Sequence, residues 1–282
     1  MSNRVYGSER RDCGIYKHSH RMFTKDDCMD WLDKLEDESV NLWITDPPYN
    51  VLTGNMTNKN GAALFHSRYT AKVSPSESDM KKGMVSSRFE VAIPWEEQQK
   101  LEDYREWCYK WYCKAHQKLA DDSFMFIFWS MRYLYLAYQI FDVNRVIFWQ
   151  QPNMVSSISG DFCYDITPII IIRKGNPRLN KDAGLWDKSS VLNFTKPQGN
   201  YRDDKLSHPC QKPRKLLEHL VWLADADHEG YVIGDFFAGS GGILRAVNKA
   251  DVILCDKNDE YYDKFFDIYV ADERVYRCKK VK

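Results

Sequence analysis

Apolar residues along the chain fall into short, nearly continuous runs, separated by longer stretches in which they recur every three or four positions. The short runs predict strands over residues 40–45, 124–129, 146–150, 169–173, 232–236 and 252–255, with a weaker one at 21–23. The longer stretches predict helices over 29–35, 96–119, 132–141, 215–224, 243–249 and 260–270. Runs apolar on both sides of the pleat belong to strands buried on both faces. Their alternation with helices therefore predicts an α/β domain: a mostly parallel sheet with helices on both faces. Residues 51–94 and 175–207 show neither period, and are rich in Asn, Ser, Lys, Asp and Gly. Loops this long are uncommon in a compact domain unless they serve a function.

Composition narrows the class. The 282 residues, 44% hydrophobic and 28% charged, suit a single domain with a substantial core. No run reaches the ~18 apolar residues of a membrane span, so the expectation is an intracellular, cytoplasmic protein with no membrane partner. The eight cysteines include no C-x-x-C pair, and several lie in apolar runs such as Val252-Ile253-Leu254-Cys255. They read as reduced thiols, with no metal site expected. Net charge is zero, but between Arg173 and Lys215 eleven Lys/Arg face four Asp, while the segment from Asp26 to Asp46 is acidic. The basic stretch is either a surface for phosphates or a solvated loop.

Two constellations carry chemistry. Asp46-Pro47-Pro48-Tyr49 follows the apolar run 41–44, placing a carboxylate and an aromatic ring where an open α/β sheet puts its ligands. The prolines stiffen the turn and remove two amide donors, leaving carbonyl acceptors. A carboxylate and a proline carbonyl together could hold the two hydrogens of an exocyclic amine, and Tyr49 offers a face for stacking. A plain Pro-rich turn is the competing reading. The second constellation is Asp235-Phe236-Phe237-Ala238-Gly239-Ser240-Gly241, after the run at 232–233 and before an expected helix. Glycines there allow a sharp turn and close approach to a ligand. There is no Walker Lys-Ser/Thr, and the G-x-G-x-x-G pattern is incomplete. Asp256 ends the next strand, where an acid typically holds ribose hydroxyls.

Taken together, these residues resemble the β-group amino-methyltransferases of DNA. The D-P-P-Y motif stands intact at Asp46 to Tyr49, and F-x-G-x-G at Phe237 to Gly241. The opening Asp27-Cys28-Met29-Asp30-Trp31-Leu32 and the element His208-Pro209-Cys210-Gln211-Lys212-Pro213 are similar to further motifs of that family. D-P-P-Y preceding F-x-G-x-G matches the β-group order. The resemblance therefore implies a circularly permuted Rossmann-like fold with a seven-stranded sheet, forming one catalytic domain over 1–282.

The resemblance also implies S-adenosyl-L-methionine as cofactor. Its site would comprise Asp235, Phe237, Ala238, Gly239, Ser240 and Gly241, with Asp256 on the ribose, Asp27 and Cys28 beside the adenosyl ring, and Lys212 and Pro213 on the methionine side. Asp46, Pro47, Pro48 and Tyr49 would receive the base. The implied activity is methylation of adenine N6 in double-stranded DNA, as in restriction–modification. N4 of cytosine, an RNA or free-base substrate, and an inactive DNA-binding module remain open, as does a homodimer. Residues 175–207 would be a short target-recognition region, and 51–94 an insertion acting as a lid or DNA contact. The sequence departs from the family pattern at Phe236, where Pro is usual, at Gly242, where Thr is common, and near Thr167-Pro168, where a Glu is frequent.

Overall fold

The computed structural model describes residues 21–49, 98–153, 165–197, 211–239, 241–257 and 276–277. The expected insertion at 51–94, the expected helix at 260–270, Ser240 and His208 to Cys210 lie outside the described residues. The described strands form one sheet: β1 (Arg21–Lys25), β2 (Val40–Thr45), β3 (Leu119–Phe128), β4 (Arg145–Gln150), β5 (Ile166–Lys174), β6 (Val191–Asn193), β7 (Val232–Asp235), β8 (Asp251–Asp256) and β9 (Tyr276–Arg277). Their order is β6-β4-β5-β3-β2-β7-β8-β1-β9, and only β5 runs against its neighbours.

Among the described residues the sheet has nine strands where seven were expected. The additional strands, β6 and β9, are three- and two-residue edge pieces, too short for a period of two to register. Because β6 lies within 175–207, that stretch is not wholly irregular.

Period-two alternation divides the sheet into two cores. Leu42, Ile44, Phe124, Phe126, Phe128, Ile169 and Ile171 face one way. Trp43, Met125, Ile127, Trp129, Ile170 and Ile172 face the other. The first face is covered by α4 (Arg214–Leu223), which buries Leu216, Leu217, Leu220 and Val221, and by Ile243 and Leu244. The second is covered by α1 (Cys28–Leu32), α2 (Gln98–Lys118) and α3 (Leu134–Ile140). No described helix is long and apolar enough to cross a membrane.

The centre of the sheet positions the site. In the β2·β7 pairing, fully buried Trp43 lies opposite Gly234, where a Cβ would come within 2.1 Å of the indole ring. The missing side chain thus lets the two strands close over Trp43, whose Nε1 donates to the Ala115 carbonyl of α2 at 2.9 Å. From β2 the chain continues to β3 on one side, and from β7 to β8 on the other. The crevice between the carboxyl ends of β2 and β7 is therefore a topological switch point, where α/β sheets bind ligands.

The expected helix at 243–249 is a correction. After the glycines there is only a 3-10 turn, Gly242–Arg245. Arg21 of β1, 1% exposed, donates from its guanidinium to the carbonyls of Leu244 and Val247. In an α-helix the Leu244 carbonyl would accept from the Asn248 amide, but that amide donates to Asp227 and the buried cation takes the carbonyl instead.

Candidate active site

Two loops leave adjacent strands at this crevice. The first, Asp46 to Tyr49, is held by side chains from elsewhere. The Tyr49 hydroxyl donates to Asp46 Oδ1 at 2.7 Å, and Lys212 Nζ donates to Asp46 Oδ2. This ion pair is largely enclosed, with the Lys212 side chain 13% and the Asp46 side chain 24% exposed. The Lys212 ammonium also lies 4.8 Å from the centre of the Phe128 ring, a cation–π distance. Tyr104 of α2 donates its hydroxyl to the Pro48 carbonyl at 3.1 Å.

Aromatic rings back this loop. Tyr49 meets Trp129 edge-on at 6.5 Å, and Tyr104 stacks between Trp129 at 6.3 Å and Trp107 at 5.9 Å. Trp107 continues to Phe237 at 5.6 Å, so ring contacts join the two loops. The ring-to-ring path runs along α2, where Tyr104, Trp107 and Trp111 recur at helical spacing. That spacing is a sequence feature from which this wall could have been found, although it does not distinguish a site wall from a buried helix face.

The second loop is built by its own backbone. Gly239 and Gly241 have φ of 44° and 62°, in the left-handed region that L side chains avoid. The Gly239 amide donates to Asp256 Oδ2 at 2.6 Å, the Ala238 amide to the Cys255 carbonyl at 2.9 Å, and the Gly241 amide to the Ala238 carbonyl at 2.7 Å. Asp235 ties the loops together: its Oδ1 accepts from the Phe237 amide at 3.0 Å and from the Thr45 hydroxyl at 2.8 Å. Burial, reinforced by the nearby charges of Asp46 and Asp256, pushes the Asp235 carboxyl up to about 7. Three acidic side chains thus converge on the crevice, of which Asp46 is paired with Lys212 and Asp235 is shifted towards its protonated form.

Asp27 and Cys28 lie at the next strand end. The Asp26 amide donates to the Asp256 carbonyl at 3.2 Å, joining this corner to β8. Asp27 caps α1, accepting from the Met29 amide at 3.0 Å, and pairs with Lys257 at 3.1 Å. Although burial opposes it, these partners hold the Asp27 carboxyl below the usual carboxylate range. Cys28 points into the core, 6% exposed. Burial, with the Asp27 charge beside it, pushes its thiol up to about 12. Among the described residues, Cys28, Cys108, Cys113 and Cys255 are free thiols.

The crevice therefore brings together Asp46, Pro47, Pro48, Tyr49, Lys212, Asp235, Phe237, Ala238, Gly239, Gly241 and Asp256, with Asp27 and Pro213 at its margins. Lys212 lands on Asp46, a contact the sequence pattern did not reveal. Thr45, Tyr104, Trp107 and Trp129 complete the surroundings and were likewise missed.

The chain is similar to known proteins in family and fold. The family described as DNA methylase, of N6/N4 methyltransferases, matches residues 40–267. The type II methyltransferase M2.DpnII of Streptococcus pneumoniae is 24% identical over 272 residues, covering 91% of this chain and 92% of the relative. The crystal structure of an M1.HpyAVI–SAM complex superposes with a TM-score of 0.57 at 18% identity, covering 88% of this chain and 98% of that one. The cytosine-N4-specific PvuII DNA methyltransferase gives 0.59 at 14% identity, covering 92% and 95%.

Proposed function

The chain belongs to the N6/N4 DNA methylase family, and on that premise we propose that it transfers a methyl group from S-adenosyl-L-methionine to N6 of adenine in duplex DNA. The observation that carries this reading is the pair of loops joined by the Thr45–Asp235 hydrogen bond at one switch point. One loop presents acceptors and an aromatic ring, the other glycine backbone and acids.

S-adenosyl-L-methionine supplies an electrophilic methyl group on a sulfonium when bound. Asp256 accepts from ribose hydroxyls while retaining the Gly239 amide, and Asp235, Phe237, Ala238, Ser240 and Gly241 complete the cofactor site. A carboxylate has about four lone-pair positions, so Asp256 can serve both. Asp27 borders the adenosyl end; Cys28 supports it from the core. At the other loop Asp46 and the Pro47 carbonyl accept the two amine hydrogens, turning the nitrogen lone pair toward the methyl carbon. The Pro48 carbonyl is already engaged by Tyr104.

The bound cofactor would supply the methyl group, and Asp46 and the Pro47 carbonyl would hold the amine nitrogen that receives it. Lys212 orients Asp46 in this scheme, and Pro213 begins α4 behind it. A paired adenine cannot reach Asp46 from within the duplex, so the base is extruded and stacks on Tyr49. Residues 51–94 and 175–207 are assigned to contacts beyond the base.

N4 of cytosine is the alternative, favoured by the likeness to the cytosine-N4-specific structure. The experiment is transfer of isotopically labelled methyl to DNA, followed by nucleoside analysis. Labelled N6-methyladenine is the expected product, and N4-methylcytosine would establish the alternative. Binding of both cofactor and DNA without labelled product would identify an inactive DNA-binding module.

A further inference from the structure

After the glycine loop the chain returns to the opposite edge of the sheet, where β8 begins, and it does so over residues 242–250 without forming an α-helix. Ile243, Leu244, Ala246, Val247 and Ala250 are buried on this return, so its backbone polar groups need partners within the protein. Two charged side chains supply them. Arg21 of β1, the strand beside β8, donates from its guanidinium to the carbonyls of Leu244 and Val247. Asp227 lies in the connection leading to β7, the neighbour of β8 on its other side. It accepts from the amides of Asn248 at 3.1 Å, Lys249 at 2.7 Å and Ala250 at 3.0 Å. A cation thus takes carbonyls and an acid takes amides, where an α-helix would have used its own ladder of hydrogen bonds.

These contacts lead back to the glycines. Leu244, whose carbonyl Arg21 holds, donates its own amide to the Gly241 carbonyl at 3.0 Å, and the Gly241 amide donates to the Ala238 carbonyl at 2.7 Å. Glycine restricts its own backbone least of all residues, so the φ of 44° at Gly239 and 62° at Gly241 must be imposed by what surrounds them. Both ions are firmly committed. Arg21 is 1% exposed. Although burial opposes it, the three amides and the Asn248 side chain hold the Asp227 carboxyl below the usual carboxylate range.

We infer that Arg21 and Asp227 are positioning residues for S-adenosyl-L-methionine: they hold residues 242–250 so that Gly239 and Gly241 keep the geometry the cofactor needs before it arrives. The inference rests on the reading that the glycine loop binds that cofactor. Neither side chain is assigned a contact with the cofactor; the two raise the fraction of molecules ready to receive it. Apparent affinity falls with that fraction, whereas turnover of the loaded protein does not.

The test combines calorimetric titration of the full chain with S-adenosyl-L-methionine and methyl transfer to duplex DNA at varied cofactor concentration. Arg21→Met removes the donors at similar side-chain length. Cofactor Kd and KM should rise about ten- to hundredfold, with kcat at saturating cofactor and duplex affinity kept within about twofold. Arg21→Lys, which retains a charged donor, should recover part of the loss. Asp227→Ala should raise Kd about tenfold, and Asp227→Asn, which retains an oxygen acceptor, should lie near wild type. If Arg21→Met does not fold, Arg21→Lys and the two Asp227 variants carry the same comparison.

Wild-type cofactor affinity in Asp227→Ala, or in folded Arg21→Met, overturns the inference. So does a fall in kcat with KM unchanged, or a parallel loss of cofactor and duplex affinity, which marks a general loosening of the fold. If the wild-type protein itself does not bind S-adenosyl-L-methionine, the reading of the glycine loop fails and the inference falls with it.

Discussion

The loops after β2 and β7 leave neighbouring strands at the same edge, yet they are built in opposite ways. Asp46 to Tyr49 is stiffened by two prolines that remove amide donors, and its acid is held by Tyr49 and by Lys212, 166 positions away in sequence. The β7 loop uses glycines at positive φ to turn its amides inward, onto the carboxylates of Asp235 and Asp256. In the proposed reading one loop offers acceptors to a ligand hydrogen, and the other offers room and acidic side chains to a cofactor. A methyl transfer between two bound partners needs both. The Thr45–Asp235 contact sets their relative position.

The sharpest way to break this division of labour is Asp46→Ala. Turnover should fall by about 10²–10³-fold, the loss seen when a group aimed at the reacting centre is removed. Cofactor affinity, measured by calorimetry, should stay unchanged; a parallel loss of affinity would mean the two loops do not act separately. Lys212→Met is the next largest. Loss of a charge-assisted hydrogen bond, about 1.5–3 kcal/mol, should reduce turnover by about 10–100-fold and spare cofactor binding. Lys212→Arg should restore part of the rate. Weakened cofactor binding with turnover preserved would instead return Lys212 to the methionine side.

Gly239→Val probes the second loop. A side chain at φ of 44° is strained by about 1–2 kcal/mol, so cofactor affinity should drop about tenfold while duplex binding is kept. Calorimetry and DNA titration on one preparation separate the two effects.

The smallest effect is expected at Asp235, and it appears in stability as a function of pH. Its folded value of about 7 lies above the ordinary 3.8, so the folded state holds a proton that the unfolded state has released. The contribution to stability is full below about pH 4 and is lost as pH rises through about 7. Asp235→Asn keeps a carbonyl acceptor for Thr45 and Phe237 but cannot ionise. Urea unfolding should show the variant gaining on wild type between those two pH values, and a constant difference would refute the burial argument.

The chain's own order of residues determined the sheet's central strands, the two loops and their chemistry. Continuous apolar runs such as Ile169–Ile172 can be satisfied only between two packed layers, Pro47-Pro48 stiffens the backbone, and Gly239 admits a positive φ that other residues avoid. These are local properties, legible without neighbours. Lys212 on Asp46, Tyr104 on the Pro48 carbonyl, Arg21 closing the 3-10 turn and the exposed Trp186 were decided only by tertiary structure. Each depends on which distant segment fills the space beside a side chain. A flexible Lys or Arg, or an aromatic residue at helical spacing, has the same local sequence signature whether it meets a carboxylate, a carbonyl or water.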